Sequence, residues 1–287
     1  MAPLMSSSGS RTPGVHADLA DAPDRIASLG GQLGRPLVVM ATTTSTNDVA
    51  KCAARDGAAH GTTWVAEEQT AGRGRRGHAW LSPPGEGLLF SVLLRLPCSP
   101  ARVPPIALVA GLAVRDAVAS AAAGASITIK WPNDVLCGPR KVAGILVEAV
   151  TVGSRVEAVV IGIGINVHTR AFPDELADRA TSVAIVASAA SAASENSPSA
   201  PPERAAILAT VLHALDRDVH IVVSRGLGLL RARLEQADAF RGRRVGNDSG
   251  DEGIAAGIDD DGRLLIRRDD GILTRWSAGE VHVVRPR

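Results

Sequence analysis

The chain of 287 residues has no tyrosine and few cysteines and lysines. The three cysteines, Cys52, Cys98 and Cys137, are odd in number and widely spaced, with no C-x-x-C pair. This pattern argues against a disulfide framework and a zinc ribbon, and it favours a reducing cytoplasm. The seven histidines are scattered without an H-x-x-x-H motif, so we predict no zinc site. Lysine occurs only at Lys51, Lys130 and Lys141, although the chain has 31 basic residues.

The sequence also lacks a targeting segment and a strong charge bias. Residues 1–14 are small and polar, without the apolar core of a signal peptide. We find no apolar run near the roughly 18 residues that a membrane span needs. The formal net charge of +1 supplies no general attraction to DNA, RNA or anionic lipid. We therefore expect no membrane and no nucleic-acid partner.

What the sequence does contain predicts an α+β fold in two domains. Residues 1–35 are rich in Ser, Pro, Gly and Ala and predict a mostly disordered tail, with room for one short helix. Residues 36–237 mix helical and extended patterns without strict alternation, which favours a mixed β-sheet with flanking helices. Residues 187–202 are of low complexity and predict a flexible insertion. Residues 238–287 alternate short strands with turns and predict a small β domain.

Individual elements stand out within the larger domain. The hydroxyl residues Thr44, Ser45 and Thr46 precede a helical pattern that Gly57 ends. Further helical patterns cover residues 105–123 and 203–236. Strand patterns cover residues 62–67, 88–96, 126–131, 142–150 and 156–165.

The segment Gly72-Arg73-Gly74-Arg75-Arg76-Gly77 matches the letters of the dinucleotide-binding fingerprint. That fingerprint requires a helix to begin at its last glycine, and Pro83 and Pro84 prevent one here. Glycines instead let a backbone approach a ligand closely, and guanidinium groups are bidentate donors to carboxylate and phosphate oxygens. We expect a loop that is mobile when empty and orders over an anion. A solvated basic turn is the plain alternative.

Three further segments contain residues suited to chemistry. Lys130-Trp131-Pro132-Asn133-Asp134 combines a cation, an indole, an amide and a carboxylate at the end of a strand. Lys141 opens the apolar strand Lys141-Val142-Ala143-Gly144-Ile145-Leu146-Val147-Glu148, where an unpaired ammonium would be costly to bury. Gly162-Ile163-Gly164-Ile165-Asn166 ends another strand. Trp131-Pro132 as a core anchor with a turn, and Gly162 and Gly164 as packing glycines, are the structural alternatives.

Taken in order with Thr44-Ser45-Thr46-Asn47 and Gln69-Thr70-Ala71, these segments resemble the biotin protein ligases, strongly over residues 42–166. The resemblance implies a catalytic domain similar to class II aminoacyl-tRNA synthetases, followed by a small SH3-like β-barrel. It implies a monofunctional ligase that converts biotin and ATP, with Mg²⁺, into biotinyl-5′-AMP and pyrophosphate. The biotinyl group then passes to a specific lysine of a biotin carboxyl carrier protein.

The resemblance also implies roles for individual residues. A carboxylate that attacks the α-phosphate needs cations and Mg²⁺ more than it needs a general base. The expected catalytic residues are Lys141, Arg73, Arg75 and Asp134, with Asp134 orienting the acceptor lysine. The buried ureido group of biotin needs paired donors and acceptors, and the expected biotin-binding residues are Ser45, Thr46, Asn47, Gln69, Arg73, Gly74, Arg75, Lys141 and Gly144. The expected ATP-binding residues are Arg75, Arg76, Lys130, Trp131, Asn133, Lys141, Gly164 and Asn166. Asn166 is the one protein candidate for contact with Mg²⁺, and Trp80 or Trp131 would supply an apolar wall.

Alternatives remain open at this level. A lipoate or octanoate ligase of the same superfamily would not need the Ser45-Thr46-Asn47 cluster, because its substrate is a linear acyl chain. A biotin-responsive DNA-binding repressor would need an N-terminal helix-turn-helix, and residues 1–41 show neither its periodicity nor a basic charge. A non-catalytic biotin-binding module would not need Lys130 and Lys141. A second adenylate-binding loop is expected between Asn166 and Ser182, a homodimer is allowed, and Lys51 has no assigned role.

Overall fold

The computed structural model describes residues 17–96, 98–193 and 202–284. Seven strands form the larger sheet in the order β1-β2-β3-β7-β6-β5-β4. β1 and β2 are parallel and all other neighbours are antiparallel, so the predicted mixed sheet is confirmed. The strands are β1 (Leu37–Thr43), β2 (Thr63–Gln69), β3 (Gly87–Leu94), β4 (Ile127–Lys130), β5 (Asp134–Cys137), β6 (Arg140–Val152) and β7 (Arg155–Asn166).

Helices cover both faces of this sheet. They are α1 (Ala22–Leu29), α2 (Thr46–Arg55), α3 (Val103–Ala121), α4 (Asp174–Ala177), α5 (Val183–Ala193), α6 (Arg204–Arg225) and α7 (Arg231–Ala237). The main hydrophobic core joins the sheet to α3 and α6, and a smaller cluster joins its other face to α2. All eight residues of β3 are buried, as expected for a central strand that is covered on both faces.

Alternation along the strands decides which residues face α2. Ile161, Ile163 and Ile165 of β7 belong to the main core. Gly162 and Gly164 therefore face the opposite side, because successive side chains of a strand point to opposite faces. The same alternation places Gly144, Leu146 and Glu148 of β6, and Ser91 of β3, on the α2 side. The polar and glycine positions of three adjacent strands thus share one face.

A second, five-stranded antiparallel sheet has the order β11-β10-β9-β8-β12. Its strands are β8 (Arg244–Asn247), β9 (Glu252–Ile258), β10 (Leu264–Arg267), β11 (Leu273–Trp276) and β12 (Val281–Val283). Buried residues of this sheet, including Val245, Leu264 and Ile266, belong to the same hydrophobic core as α3. The indole N–H of Trp131 also donates to Gly262 O at 2.9 Å. The predicted small β domain is therefore present and packs directly on the larger one.

The structure differs from the predicted tail. Residues 1–16 lie outside the described residues, but residues 17–33 contain a short 3₁₀ turn and α1, with Leu19, Ile26 and Leu33 buried. The wholly buried Arg204 holds this segment in place by hydrogen bonds to Asp18 and to Glu67 of β2. Such a long-range contact leaves no periodic signal in the local sequence.

The predicted low-complexity insertion also differs in part. Residues 187–193 continue helix α5, and Ala187 is buried. Alanine is the best helix former, so an alanine-rich stretch can extend a helix that already has a buried face. Residues 194–201 of the predicted insertion lie outside the described residues.

One helix corrects the expectation that no apolar run approaches the length of a membrane span. Residues 100–121 form α3 and the 3₁₀ turn before it. By length and composition this segment could cross a membrane, with a mean hydropathy of 1.4. However, 61% of the apolar window is buried inside the protein. The segment thus has the environment of a core helix, packed between the sheet and α6.

Candidate active site

A cleft of about 930 Å³, open to solvent, lies on the α2 side of the larger sheet. It is lined by the ends of α2, β2 and β4, the glycine–arginine loop, the middle of β6 and β7, and three residues of the second sheet's domain. Of the predicted site residues, the cleft brings together Ser45, Thr46, Asn47, Gln69, Arg73, Gly74, Arg75, Arg76, Lys130, Trp131, Asn133, Asp134, Lys141, Gly144 and Gly164.

Residues 72–80 form a short hairpin over the cleft. The Gly74 N–H donates to His78 O at 2.7 Å, and the Trp80 N–H donates to Gly72 O at 2.9 Å. A Cβ on Gly72 would lie 2.4 Å from Trp80 O, so only glycine fits there. No helix follows the hairpin, which agrees with the rejection of the dinucleotide-binding fingerprint.

Trp80 ends this hairpin and lies against β6 and β7. A Cβ on Gly164 would lie 2.5 Å from the Trp80 ring, and one on Gly144 would lie 3.0 Å from it. The two glycines therefore leave room for the indole on the sheet. The Lys141 ammonium lies 5.4 Å from the centroid of the same ring, within the range of a cation–π contact. Trp80 Nε1 is buried and has no hydrogen-bond partner within the described part of the chain.

Cations gather at the β4–β6 end of the cleft. Lys141 Nζ pairs with Asp134 Oδ1 at 2.7 Å, and the Arg75 guanidinium donates to Asn133 Oδ1 at 3.2 Å. Burial lowers the pKa of Arg75 from its ordinary value, with the charge of Arg76 adding to this effect and Asp134 opposing it. A partly buried cation beside further positive charge is a favourable place for an anion.

The hairpin of residues 72–80 forms ion pairs with both domains. Arg73 forms an ion pair with Asp48 of α2, and Arg76 at the tip of the hairpin forms one with Asp248, which follows β8. Gly279, Glu280 and Val281 of the second domain complete the lining of the cleft. These contributions from the C-terminal domain were not predicted, because no local feature of the sequence marks them.

The opposite end of the cleft is polar and almost fully buried. Ser45, Thr46 and Asn47 are each 2–3% exposed. Gln69 Oε1 accepts the backbone N–H of Thr46 at 2.7 Å, and Ser91 Oγ lies 2.7 Å from Thr46 Oγ1. Ser91 was not predicted, although a serine inside the apolar strand Gly87–Leu94 is a visible signal.

Two predicted site residues are placed differently from the expectation. Trp131 lines the cleft but is only 2% exposed and donates its N–H to Gly262 O, so it is also the core anchor given as its alternative. Asn166 does not line the cleft, and its amide donates to Thr181 O at 3.0 Å. Because the Thr181 N–H bonds Lys141 O at 2.9 Å, Asn166 supports the backbone beside Lys141 through its amide –NH₂ group.

Among the described residues, one group of ligand atoms lies close enough to hold a metal ion, at His60, Asp216 and His220. None of the three lines the cleft. His60 Nδ1 accepts the backbone N–H of Arg95 at 3.1 Å, so the neutral ring carries its proton on Nε2. That tautomer cannot ligate a metal through Nε2, and we assign no metal to this group.

Two family models match the chain, one in each domain. Residues 39–166 match the model of the biotin/lipoate A/B protein ligase family, and residues 241–284 match that of the biotin protein ligase C-terminal domain. The chain is 34% identical to the bifunctional ligase/repressor BirA of Bacillus subtilis over 86% of this chain and 74% of that protein. It is 36% identical to the biotin--[acetyl-CoA-carboxylase] ligase of Mycobacterium tuberculosis over 81% of this chain and 83% of that protein.

Solved structures give the same answer. The biotin protein ligase of Aquifex aeolicus in complex with biotin and ATP matches with a TM-score of 0.71 and 28% identity, over 87% of this chain and 99% of that one. The chain belongs to the biotin protein ligase family.

Proposed function

We propose that this protein activates biotin with ATP, releases pyrophosphate, and transfers the biotinyl group to a lysine of a biotin carboxyl carrier domain. The observation that carries the proposal is the division of one cleft into a buried polar end and a cationic end. The relatives named for acetyl-CoA carboxylase and the similar structure that holds biotin and ATP support it.

In the first step a biotin carboxylate oxygen attacks the α-phosphorus of ATP, and the bond to pyrophosphate breaks. Both reactants are anions, so the site must offset their repulsion. Lys141 and Arg75 stand at the cationic end, held by Asp134 and Asn133. In our proposal both cations turn to the reacting oxygens, while Lys130 and Arg76 face the outer phosphates. Trp80 offers a flat apolar surface between the two ends.

In the second step the amine of the acceptor lysine attacks the biotinyl carbonyl, and AMP leaves. The amine must lose a proton before or during attack. Asp134 lines the cleft at its cationic end and is the carboxylate that we propose orients the incoming ammonium. Lys141 would then stay with the phosphate of the leaving AMP.

Magnesium fits this cleft as a companion of ATP rather than as a resident of the protein. The only carboxylates that line the cleft in the described residues are Asp134 and Glu280, and Asp134 is already paired with Lys141. Mg²⁺ commonly uses one or two carboxylates together with phosphate oxygens and water. We propose that these two residues are the protein groups near the ion, which would neutralise phosphate charge.

Exchange of label between pyrophosphate and ATP tests the proposal. Purified protein should catalyse this exchange with biotin and Mg²⁺, and it should attach biotin to a carrier domain. Exchange with lipoate or octanoate and none with biotin would instead assign the protein to the linear-acyl branch of the superfamily. The buried polar Ser45-Thr46-Asn47 end favours biotin, because a linear acyl chain offers no hydrogen-bonding group to a polar end of the cleft.

The remaining expectations stay predictions. A cytoplasmic location, the absence of nucleic-acid binding, and a homodimer are each open to direct measurement. The named activity of some relatives includes repression, so a mobility shift with DNA upstream of biotin-related genes is the relevant test. We expect no specific shift.

A further inference from the structure

The polar end of the cleft continues into a chain of hydrogen bonds behind it. Asn47 Nδ2 donates to Glu148 Oε2 at 2.7 Å and to Leu146 O at 3.3 Å. The other carboxylate oxygen of Glu148 pairs with Lys51 Nζ at 2.6 Å. Lys51 and Glu148 were not among the predicted site residues, and neither lines the cleft. Their side chains are only 19% and 26% exposed.

This arrangement fixes the orientation of the Asn47 amide. A carboxylate and a backbone carbonyl only accept hydrogen bonds, so both Asn47 amide hydrogens must point to Glu148 and Leu146. Asn47 Oδ1 therefore faces Ser91 Oγ, 2.6 Å away, and must accept from it. A Cβ on Gly162 would lie 2.1 Å from Asn47 Oδ1, so the adjacent glycine makes room for this amide. Asn47 consequently has no amide hydrogen left for a ligand.

The orientation of the Asn47 amide in turn determines where the Thr46 hydroxyl hydrogen points. Ser91 has one hydroxyl hydrogen, and Asn47 takes it, so toward Thr46 Oγ1 the Ser91 oxygen can only accept. The Thr46 hydroxyl hydrogen thus goes to Ser91 Oγ at 2.7 Å or to Gln69 Oε1 at 3.2 Å. In both cases it is used inside the protein. Thr46 Oγ1 is left to face the cleft as an acceptor.

The backbone N–H of Thr46 fixes the orientation of the Gln69 side-chain amide. Its Oε1 accepts the Thr46 backbone N–H at 2.7 Å, which places the –NH₂ group on the other side of the amide. No acceptor for that –NH₂ group is found in residues 17–96, 98–193 or 202–284. The polar end of the cleft therefore presents an acceptor at Thr46 and a donor at Gln69. A ureido group has the matching pattern, an N–H beside a carbonyl oxygen.

We propose that Glu148, held by Lys51, acts through Asn47 and Ser91 as a positioning group that makes Thr46 Oγ1 an acceptor toward the cleft. Together with the donor that the Thr46 backbone N–H sets at Gln69, this acceptor selects the ureido ring of biotin. The inference rests on the proposed function, since it takes biotin as the ligand. It assigns Lys51, Ser91 and Glu148 to substrate specificity, although none of them needs to touch the substrate.

The test compares Ser91→Ala, Glu148→Gln, Lys51→Met and Lys51→Arg in the biotin-dependent exchange assay. The side chain introduced by Glu148→Gln has a single carbonyl oxygen, whereas Lys51 and Asn47 each need an acceptor. Ser91→Ala and Glu148→Gln should raise the KM for biotin about tenfold, with kcat and the KM for ATP within about twofold. Lys51→Met should show a smaller rise in the same direction, and Lys51→Arg should restore the KM, because an arginine can still pair with the carboxylate.

A second readout separates the pattern from general damage. In an analogue of biotin whose ureido ring is a cyclic carbamate, an oxygen replaces the ureido N–H that faces Thr46, so it meets the Thr46 acceptor with an acceptor. The ratio of biotin affinity to carbamate-analogue affinity, measured by calorimetry, should fall in Ser91→Ala and Glu148→Gln. Glu157→Gln is the matched control. Glu157 lies on β7, the strand next to β6, and its ion pair with Arg95 is outside the cleft. This variant should leave both quantities unchanged.

The outcomes are distinct. An unchanged biotin KM and an unchanged affinity ratio in Ser91→Ala and Glu148→Gln would overturn the inference and leave the ligase activity intact. A rise in the KM for both biotin and ATP together with a fall in kcat and a lowered melting temperature would show a merely structural role. That result would overturn the inference as well. Absence of any biotin-dependent exchange in the wild-type protein would instead contradict the proposed function.

Discussion

Lys141 is the residue on which the activation step depends most. Its ammonium pairs with Asp134 and lies against the Trp80 ring. Lys141→Ala removes the positive charge next to the reacting anions and leaves Asp134 as an unpaired negative charge beside them. We expect the rate of biotin-dependent exchange to fall about 10²–10³-fold, with the circular dichroism spectrum unchanged.

A double variant separates the two effects. Lys141→Ala with Asp134→Asn removes the repulsion from the carboxylate but does not restore the ammonium. The exchange rate should therefore recover only in small part, by about tenfold or less. A near-normal rate in the single variant would remove Lys141 from the mechanism, and full recovery in the double variant would show that repulsion alone caused the loss.

The three lysines share a location that the sequence revealed only in part. Lys130 and Lys141 line the cleft, and Lys51 lies behind it, paired with Glu148. In a chain whose other basic residues are all arginine, Lys51 and Lys141 each place a compact ammonium against a carboxylate. Lys51 also pairs with Asp48 of its own helix, but Glu148 is 97 residues away in sequence, so no local motif could have identified the contact behind the cleft.

At the scale of elements, the N-terminal segment depends on one buried ionic group. Burial would raise the pKa of Asp18, but hydrogen bonds from Arg204 and His168 overcome that effect and hold its pKa at about 2. The folded-state pKa is below the ordinary value of 3.8. The ionised carboxylate therefore contributes stability that is complete above about pH 4 and is lost as the pH falls through about 2.

Asp18→Asn tests this linkage. The variant should lower the free energy of unfolding by about 2 kcal/mol between pH 5 and pH 7. The difference from wild type should shrink to about half at pH 3, because the wild-type carboxylate then begins to lose its advantage. Urea denaturation at pH 7, 5 and 3 measures it. Equal differences at all three pH values would mean that the loss comes from packing and not from ionisation.

Elements with a largely apolar pattern were predictable, and those fixed by distant partners were not. Residues 88–96 and 156–165 were assigned as strands because both are largely apolar, and they correspond to β3 and β7. The strand β5 was missed, since Pro132-Asn133-Asp134 reads as a turn and Asp134 in fact begins the strand. Helix α1 was underrated because Arg204, which fixes its segment, lies far along the chain.

In the candidate site, too, residues with a local sequence signal were predictable and those that depend on distant partners were not. Arg73, Lys141 and Gln69 were identified because glycine–arginine, lysine and amide positions in five ordered segments resemble a known family, and the structure brings them to one cleft. Asp48 and Glu148 escaped notice because single carboxylates on a helix and a strand normally face solvent. Their significance depends on the pairing of α2 with β6 across the cleft wall, which only the fold supplies.

At the scale of the whole molecule, the two sheets share one hydrophobic core. Trp131, at the end of β4, is buried and donates its indole N–H to Gly262 between β9 and β10. Trp276 and Val281 of the second sheet belong to the same core as α3 and α6. The second domain also supplies Glu280 and Val281 to the cleft. We therefore expect the two domains to unfold as one cooperative unit.

Trp131→Phe tests this cooperativity. The variant keeps most of the apolar contact but removes the N–H, which leaves Gly262 O without its donor at a cost of about 1–3 kcal/mol. Calorimetry should show a single transition in both proteins, shifted down by a few degrees in the variant. Two transitions, of which only one moves, would show that the sheets unfold separately and that the joint at Trp131 does not couple them. A single shifted transition would mean that the C-terminal contribution to the cleft is lost only when the whole protein unfolds.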